Sequence, residues 1–281
     1  MSPLWRDQIH VFFAPERVDL VRVPRRLSGL KQPEQVPKTT MLCQRDTDQS
    51  ISESPLHQLE QMVQDAAGAE MMITLSNHFV RYTTLPPQAE ISAPDEVYAY
   101  AAFRMREIYG TRVDEWILSV SAWDPIKGAI CAAINRDLLT RFEEMAVRCR
   151  IKLKGLEPYL ASTFDNWKQL LDAPRTCFAL VETGRICIAL LASGVWQSIR
   201  NQKILHAVED ELLAALDQEA ILSGYKEPVE QVYLFAPEHP GLVLPQDCGW
   251  EIVPIQTVQL PVLAHYPSAI VDQGEMKECI V

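Results

Sequence analysis

The sequence predicts an α/β protein in which one unit, three strands followed by a helix and a further strand, occurs twice. An α/β segment is inserted into the first copy. Three observations carry this. Short apolar runs broken by tight turns open both halves, at residues 9–23 and again at 177–191, the pattern of β-hairpins. Stretches of helical period separate the later strands. The order of elements then repeats after residue 172, although residue identity between the copies is slight. With 281 residues, 48% of them apolar, the chain is long enough to bury a core without disulfide or metal staples.

In order, residues 9–13 and 18–23 alternate around Ala14-Pro15-Glu16-Arg17 and read as the first hairpin. Residues 28–52 are polar and contain proline, with one edge strand expected near 36–43. Ser54 and Pro55 offer an N-cap and a first-turn proline for a helix with Leu56, Leu59, Met62, Val63 and Ala66 on one face. Residues 71–75 and 79–85 are expected to pair as strands around Ser76-Asn77-His78. Ser92 and Asp95 suggest a capping box for a helix over 94–109. Strands near 115–122 and 128–134 follow. Asn135 then caps an amphipathic helix carrying Leu138, Leu139, Phe142, Met145, Ala146 and Cys149. A strand near 151–157 leads into a short helix through Phe164, Trp167, Leu170 and Leu171.

After Asp172-Ala173-Pro174 the opening pattern returns. Residues 177–181 and 186–191 flank Glu182-Thr183-Gly184-Arg185, and 195–200 is the third strand. A long helix over 205–222 is expected to end near Ser223-Gly224. Strands at 231–235 and 250–253 complete the pattern, and the last ten residues read as a loose tail. The expected organisation is therefore a first half over 1–171 with an insertion at about 78–135, a second half over 172–254, and an irregular tail over 255–281.

Composition removes several function classes. Acidic residues number 37 against 26 basic, a net charge of −11. That argues against nucleic acid or anionic lipid as the partner, since both need clustered Lys and Arg. None of the seven cysteines lies two residues from another, so zinc and redox CxxC spacings are absent and a reducing cytosol is expected. The six histidines form no i, i+4 pair, which leaves metal binding without a local motif. No GxSxG, GxGxxG or GxxxxGK[ST] occurs. Asp19, Asp114, Glu115 and Asp124 are carboxylates best read as turn and strand-end groups. The longest nearly apolar stretch, residues 186–196, is far shorter than the roughly 20 residues of a membrane span. The N-terminus has no secretion-signal pattern, and Cys279 is third from the end, where prenylation needs the fourth. The initial Met and the irregular tail point to a complete soluble chain.

Four stretches carry a resemblance. They are Trp5-Arg6-Asp7 ahead of residues 9–20, Leu75-Ser76-Asn77-His78-Phe79-Val80-Arg81-Tyr82 ahead of Leu85-Pro86, residues 99–110, and the Leu156-Glu157-Pro158-Tyr159 turn. With these, the duplicated order resembles the actin-like (ribonuclease H-like) ATPase fold. More narrowly, it is similar to the PilM and GspL families, cytoplasmic assembly proteins of type IV pili and type II secretion. The resemblance spans about residues 4–236; residues 237–281 match nothing in it. It implies a fold whose two hairpin turns face each other across a cleft and bind the phosphates of Mg-ATP. Each such turn carries an Asp followed by Gly and a hydroxyl residue, so that backbone N–H groups approach phosphate and the carboxylate holds Mg²⁺ or its water.

The residues depart from that pattern. The first turn, Ala14-Pro15-Glu16, has neither Asp nor Gly, and Pro15 removes a donor. The second, Glu182-Thr183-Gly184, keeps Gly and Thr, with Glu182 standing in for Asp. After strand 231–235, the adenosine-binding Gly-Gly is replaced by Ala236-Pro237-Glu238. No bound cofactor is expected. The resemblance therefore implies a non-catalytic cytoplasmic scaffold, held near the inner membrane by its partners. These would be a short cytoplasmic segment of an inner-membrane platform protein and the motor ATPase. The alternative is an active actin-like ATPase or sugar-type kinase using Mg-ATP; a polymerising actin-like protein is the third reading.

Two charged stretches and one helix are candidate contact surfaces. Arg136, Arg141, Arg148, Arg150, Lys152 and Lys154 concentrate positive charge, whereas Glu209, Asp210, Glu211, Asp217 and Glu219 make the long helix acidic. The helix over 94–109 carries Tyr98, Tyr100, Phe103 and Tyr109 with Arg104 and Arg106 among them, the residue types that anchor interfaces. Tyr98, Arg104, Arg106, Arg141 and Arg148 are the expected partner-binding residues.

Overall fold

The structure is a computed structural model, and it describes residues 6–24, 37–44, 50–167, 175–222, 231–245 and 247–255. The chain begins with β1 (Gln8–Phe13), β2 (Arg17–Val23), β3 (Lys38–Leu42), α1 (Glu53–Val63) and β4 (Glu70–Leu75). The inserted segment follows as β5 (Arg81–Leu85), α2 (Pro94–Tyr109), a 3₁₀ turn over Gly110–Glu115, β6 (Trp116–Val120) and β7 (Ala129–Asn135). Next come α3 (Arg136–Arg148), β8 (Lys152–Pro158) and α4 (Tyr159–Trp167). The second copy is β9 (Arg175–Glu182), β10 (Arg185–Ala192), β11 (Val195–Lys203), α5 (Val208–Leu222), β12 (Gln231–Phe235) and β13 (Glu251–Pro254).

Two five-stranded sheets share one topology, β3-β2-β1-β4-β8 and β11-β10-β9-β12-β13. In each, a hairpin supplies antiparallel neighbours, and a helical crossover returns the fourth strand parallel to the first. A third sheet, β5-β7-β6, belongs to the insertion. The contacts divide the chain into two compact units. One contains residues through 80 together with 134–159; the other contains 81–133 together with 160–259. The insertion thus groups with the second-half strands, although sequence order attaches it to the first half. Within that unit β5 lies against β11.

The alternation read from the sequence is the packing of the first sheet. Ile9, Val11 and Phe13 of β1 are buried, and the Phe13 ring meets Phe142 of α3 edge-on at 4.9 Å. In the second sheet, Val181, Ile188 and Val232 pack against Leu212 and Leu216 of α5. In the third, Ala101 and Met105 of α2 cover Leu85, Ala129, Cys131 and Ala133. On edge strand β8 the register with β4 jumps between Met71 and Met72, leaving Lys154 opposite no partner. A bulge flanked by lysines is a common means of closing a sheet edge to further strands.

Local differences from the sequence reading have physical causes. Strands 71–75 and 79–85 do not pair. β4 already has β1 on one edge and β8 on the other, so β5 joins β7 in a different sheet. The cap of α1 is Ser52 rather than Ser54, and Ala66 lies beyond its last turn. In α2 the capping residue is Ala93, not Ser92. Glu96, rather than Asp95, reaches back, its carboxylate accepting from the amides of Ser92 and Ala93 at 3.2 and 3.1 Å. Asn135 caps α3 as expected, accepting from the Asp137 amide at 2.7 Å. Helix α5 starts at Val208 instead of 205. The expected breaks at 172–174 and 223–224 and the tail over 256–281 lie outside the described residues.

Candidate functional site

The two hairpin turns are the places where the resemblance implies phosphate. At the β1–β2 turn, the Ala14 amide donates to the Arg17 carbonyl at 3.0 Å, so it closes the turn itself. Pro15 has no N–H to offer. The Glu16 carbonyl accepts from the Cys43 amide at 2.7 Å, and the Arg17 guanidinium stacks 5.2 Å from the Phe12 ring centre. Arg17 and Lys38 also face the buried Asp19 carboxylate at 3.2 and 2.8 Å, and Thr40 donates to it at 2.7 Å. The positive charge beside this turn therefore faces a carboxylate of its own sheet.

The β9–β10 turn is tighter. Gly184 has φ 73°, a left-handed conformation that glycine adopts without strain. Its carbonyl accepts from the Ile204 amide at 3.0 Å. The Thr183 amide points to Glu238, donating to Oε2 at 2.6 Å, and His239 Nε2 lies 3.3 Å from the Glu182 carbonyl oxygen. Ala236-Pro237-Glu238 follows β12 directly, so the strand end carries the carboxylate to the turn. Glu182 and Arg185 are only 2% and 6% exposed. Arg185 donates to Asn201 Oδ1 at 3.0 Å. Burial first, and then the like charge of Arg81, lower its pKa from the ordinary guanidinium value. Nearby, burial pushes the Tyr82 hydroxyl well up, and Tyr109 donates to the Tyr82 carbonyl at 3.0 Å.

The expected contact residues fall on two separate elements. On α2, Tyr98 and Phe103 are 52% and 58% exposed. Tyr100 and Tyr109 are instead engaged, edge-on to Trp123 and Trp116 respectively. Arg104 bonds Glu107 at 2.5 Å, and Arg106 pairs with Asp114. On α3, Arg141 makes two bonds to Glu53 at 2.6 Å each, and Arg148 bonds Glu60 at 2.8 Å. These hydrogen bonds lower the pKa of both α1 carboxyls from the ordinary glutamate value. Two of the six cations in the basic stretch, Arg141 and Arg148, are thus answered by α1, and Asp124 caps its own turn through the amides of Ile126 and Lys127. In the sequence Glu238 registers only as part of a lost glycine pair; its contact with the Thr183 amide appears only in the fold. Among the described residues, no group of three or more His, Cys, Asp or Glu is placed to hold a metal, and no helix is long and apolar enough to cross a membrane.

No family model matches the chain, and no curated protein matches it. Solved structures do. The PilM-PilN type IV pilus biogenesis complex aligns at TM-score 0.57 and 14% identity, over 88% of this chain and 88% of that one. The cytoplasmic domain of EpsL, an inner-membrane component of the Vibrio cholerae type II secretion system, aligns at 0.55 and 12%, covering 90% and 91%. A Bacteroides thetaiotaomicron protein with an actin-like ATPase fold and unknown function aligns at 0.54 and 8%, covering 83% and 82%. Such identities carry the architecture alone. With the doubled sheet order, they give the conclusion that this chain has the actin-like fold.

Proposed function

We propose that the chain is a non-catalytic scaffold of a type IV pilus or type II secretion inner-membrane platform. It links the short cytoplasmic segment of a membrane partner to cytoplasmic machinery such as the motor ATPase. The observation that carries the non-catalytic part is the state of the two turns. One lacks glycine and holds a proline, and the other has its Thr183 amide already bonded to Glu238. Phosphate binding by turns depends on free backbone donors. Likeness to the PilM-PilN complex and to the EpsL cytoplasmic domain supports the setting. Helix α2 offers the anchors: Tyr98 and Phe103 are exposed large side chains on the helix that also carries Arg104 and Arg106, and aromatics with Arg dominate the energetics of peptide docking.

The test is capture of the full chain on immobilised cytoplasmic peptides from single-span proteins of pilus and secretion platforms. Retention of the wild type, weakened at least tenfold by Tyr98→Ala with Phe103→Ala, is expected. No retention on any platform peptide overturns the scaffold reading. Calorimetry with Mg-ATP is expected to give no binding heat. Micromolar binding abolished by Glu182→Ala would instead establish the ATPase or kinase alternative.

A further inference from the structure

Backbone amides at tight turns bind anions, because their dipoles converge on a point that no local carbonyl fills. At the β9–β10 turn an anion is present, and it comes from the chain itself. Glu238 Oε2 lies 2.6 Å from the Thr183 amide nitrogen, slightly shorter than the usual charge-assisted N–H···O⁻ bond. The segment that delivers it is pinned independently. The His239 ring nitrogen lies 3.3 Å from the Glu182 carbonyl oxygen, the His239 amide donates to Ala236 at 3.0 Å, and the Leu242 amide donates to His239 at 2.9 Å. The base of the same hairpin sets a buried cation, Arg185, near a buried carboxylate, Glu182. Arg185 is 6% exposed, and its Nε has no hydrogen-bond partner among the described residues, although another guanidinium nitrogen bonds Asn201.

We propose that the β9–β10 turn is an oxyanion site occupied by the Glu238 carboxylate, a built-in plug that keeps phosphate-type anions off the Thr183 amide. The amide has one proton to donate, so carboxylate and phosphate exclude each other. The tethered carboxylate wins because its effective concentration at the amide far exceeds that of free anion. Removing the carboxylate opens the turn to an oxyanion of similar charge and size. The plug deepens the non-catalytic part of the proposed function, which rests on the same Thr183–Glu238 bond; it needs no partner protein, so its failure is distinguishable from failure of the peptide-docking part.

The test follows the Thr183 amide in ¹⁵N–¹H spectra of the full chain, with inorganic phosphate as the probe. In the wild type this resonance is expected far downfield and indifferent to phosphate. In Glu238→Ala it moves upfield, then returns downfield in a saturable way as phosphate is added. Glu238→Gln preserves shape and still shifts the resonance upfield, because a neutral amide oxygen accepts more weakly; it carries the test if the alanine variant does not fold. Phosphate or Mg-ATP moving the wild-type resonance would overturn the plug. So would a Glu238→Ala spectrum that otherwise overlays the wild type while its Thr183 amide ignores phosphate.

Discussion

Glu219→Ala is expected to destabilise the second unit by about 3 kcal/mol. Glu219 sits on the sheet-facing side of α5 and is 6% exposed. Its Oε1 accepts from Arg200 Nε at 2.6 Å, and its Oε2 accepts from the Ser198 hydroxyl. A hydrogen bond to a charged group contributes about 1.5–3 kcal/mol and a neutral donor about 1 kcal/mol. Truncation also strands the Arg200 guanidinium. Breaking a buried pair costs about 3–5 kcal/mol, but Arg200 keeps 22% of its side chain in water, so the lower end applies. Urea denaturation followed by tryptophan emission reads this locally, since Trp196 lies on β11 beside Ser198 and Trp250 Nε1 donates to Asp217 of α5 at 2.9 Å. With a urea slope of about 2 kcal/mol/M, the midpoint drops by about 1.5 M. The cycle with Arg200→Ala should be non-additive by about 1.5–3 kcal/mol, and replacing both residues by leucine should recover most of the loss. A midpoint shift of only a few tenths molar, or strict additivity, would refute the account.

Gly128→Ala is expected to cost at least about 2 kcal/mol, measured as a lowered melting temperature. Gly128 has φ 76°, and an added Cβ would run into the Leu85 carbonyl oxygen while lying 3.1 Å from the Pro87 nitrogen; a melting point equal to wild type would show that the turn can shift aside. The His10 imidazole in β1 is held by burial at a pKa of about 4, so the unfolded chain takes up its proton first as the pH falls. The stability tied to neutral His10 is complete above about pH 6.5 and is lost down to about pH 4; the gap corresponds to about 3 kcal/mol. Urea midpoints taken across that window should fall for wild type and flatten in His10→Gln, and parallel slopes for the two proteins would rule out His10 as the source.

Much of this molecule was legible in its sequence because its signals are local. The Ile9–Val11–Phe13 alternation, the Asn135 cap and the turn at Thr183-Gly184 each depend on residues a few positions apart. Strand pairing was less legible. The two apolar runs around Ser76-Asn77-His78 looked like partners because they are neighbours in sequence, but a hydrophobic pattern reports burial and not the identity of the strand alongside. Charge partners were hidden in the same way. Arg141 and Glu53 are 88 residues apart in the chain yet share two hydrogen bonds, so two of the six cations in the basic stretch, Arg141 and Arg148, have partners on α1 that no local pattern announces.

By itself, then, the sequence determined the duplicated strand–helix order, the absence of glycine at the first turn and its survival at the second. All three follow from side-chain periodicity and backbone freedom. Only the tertiary structure decided that the insertion groups with the second-half strands and that Glu238 reaches the Thr183 amide, 55 residues away in the chain. Such meetings depend on how strands and crossovers bring distant segments into contact, and no local pattern encodes which carboxylate will arrive at which amide.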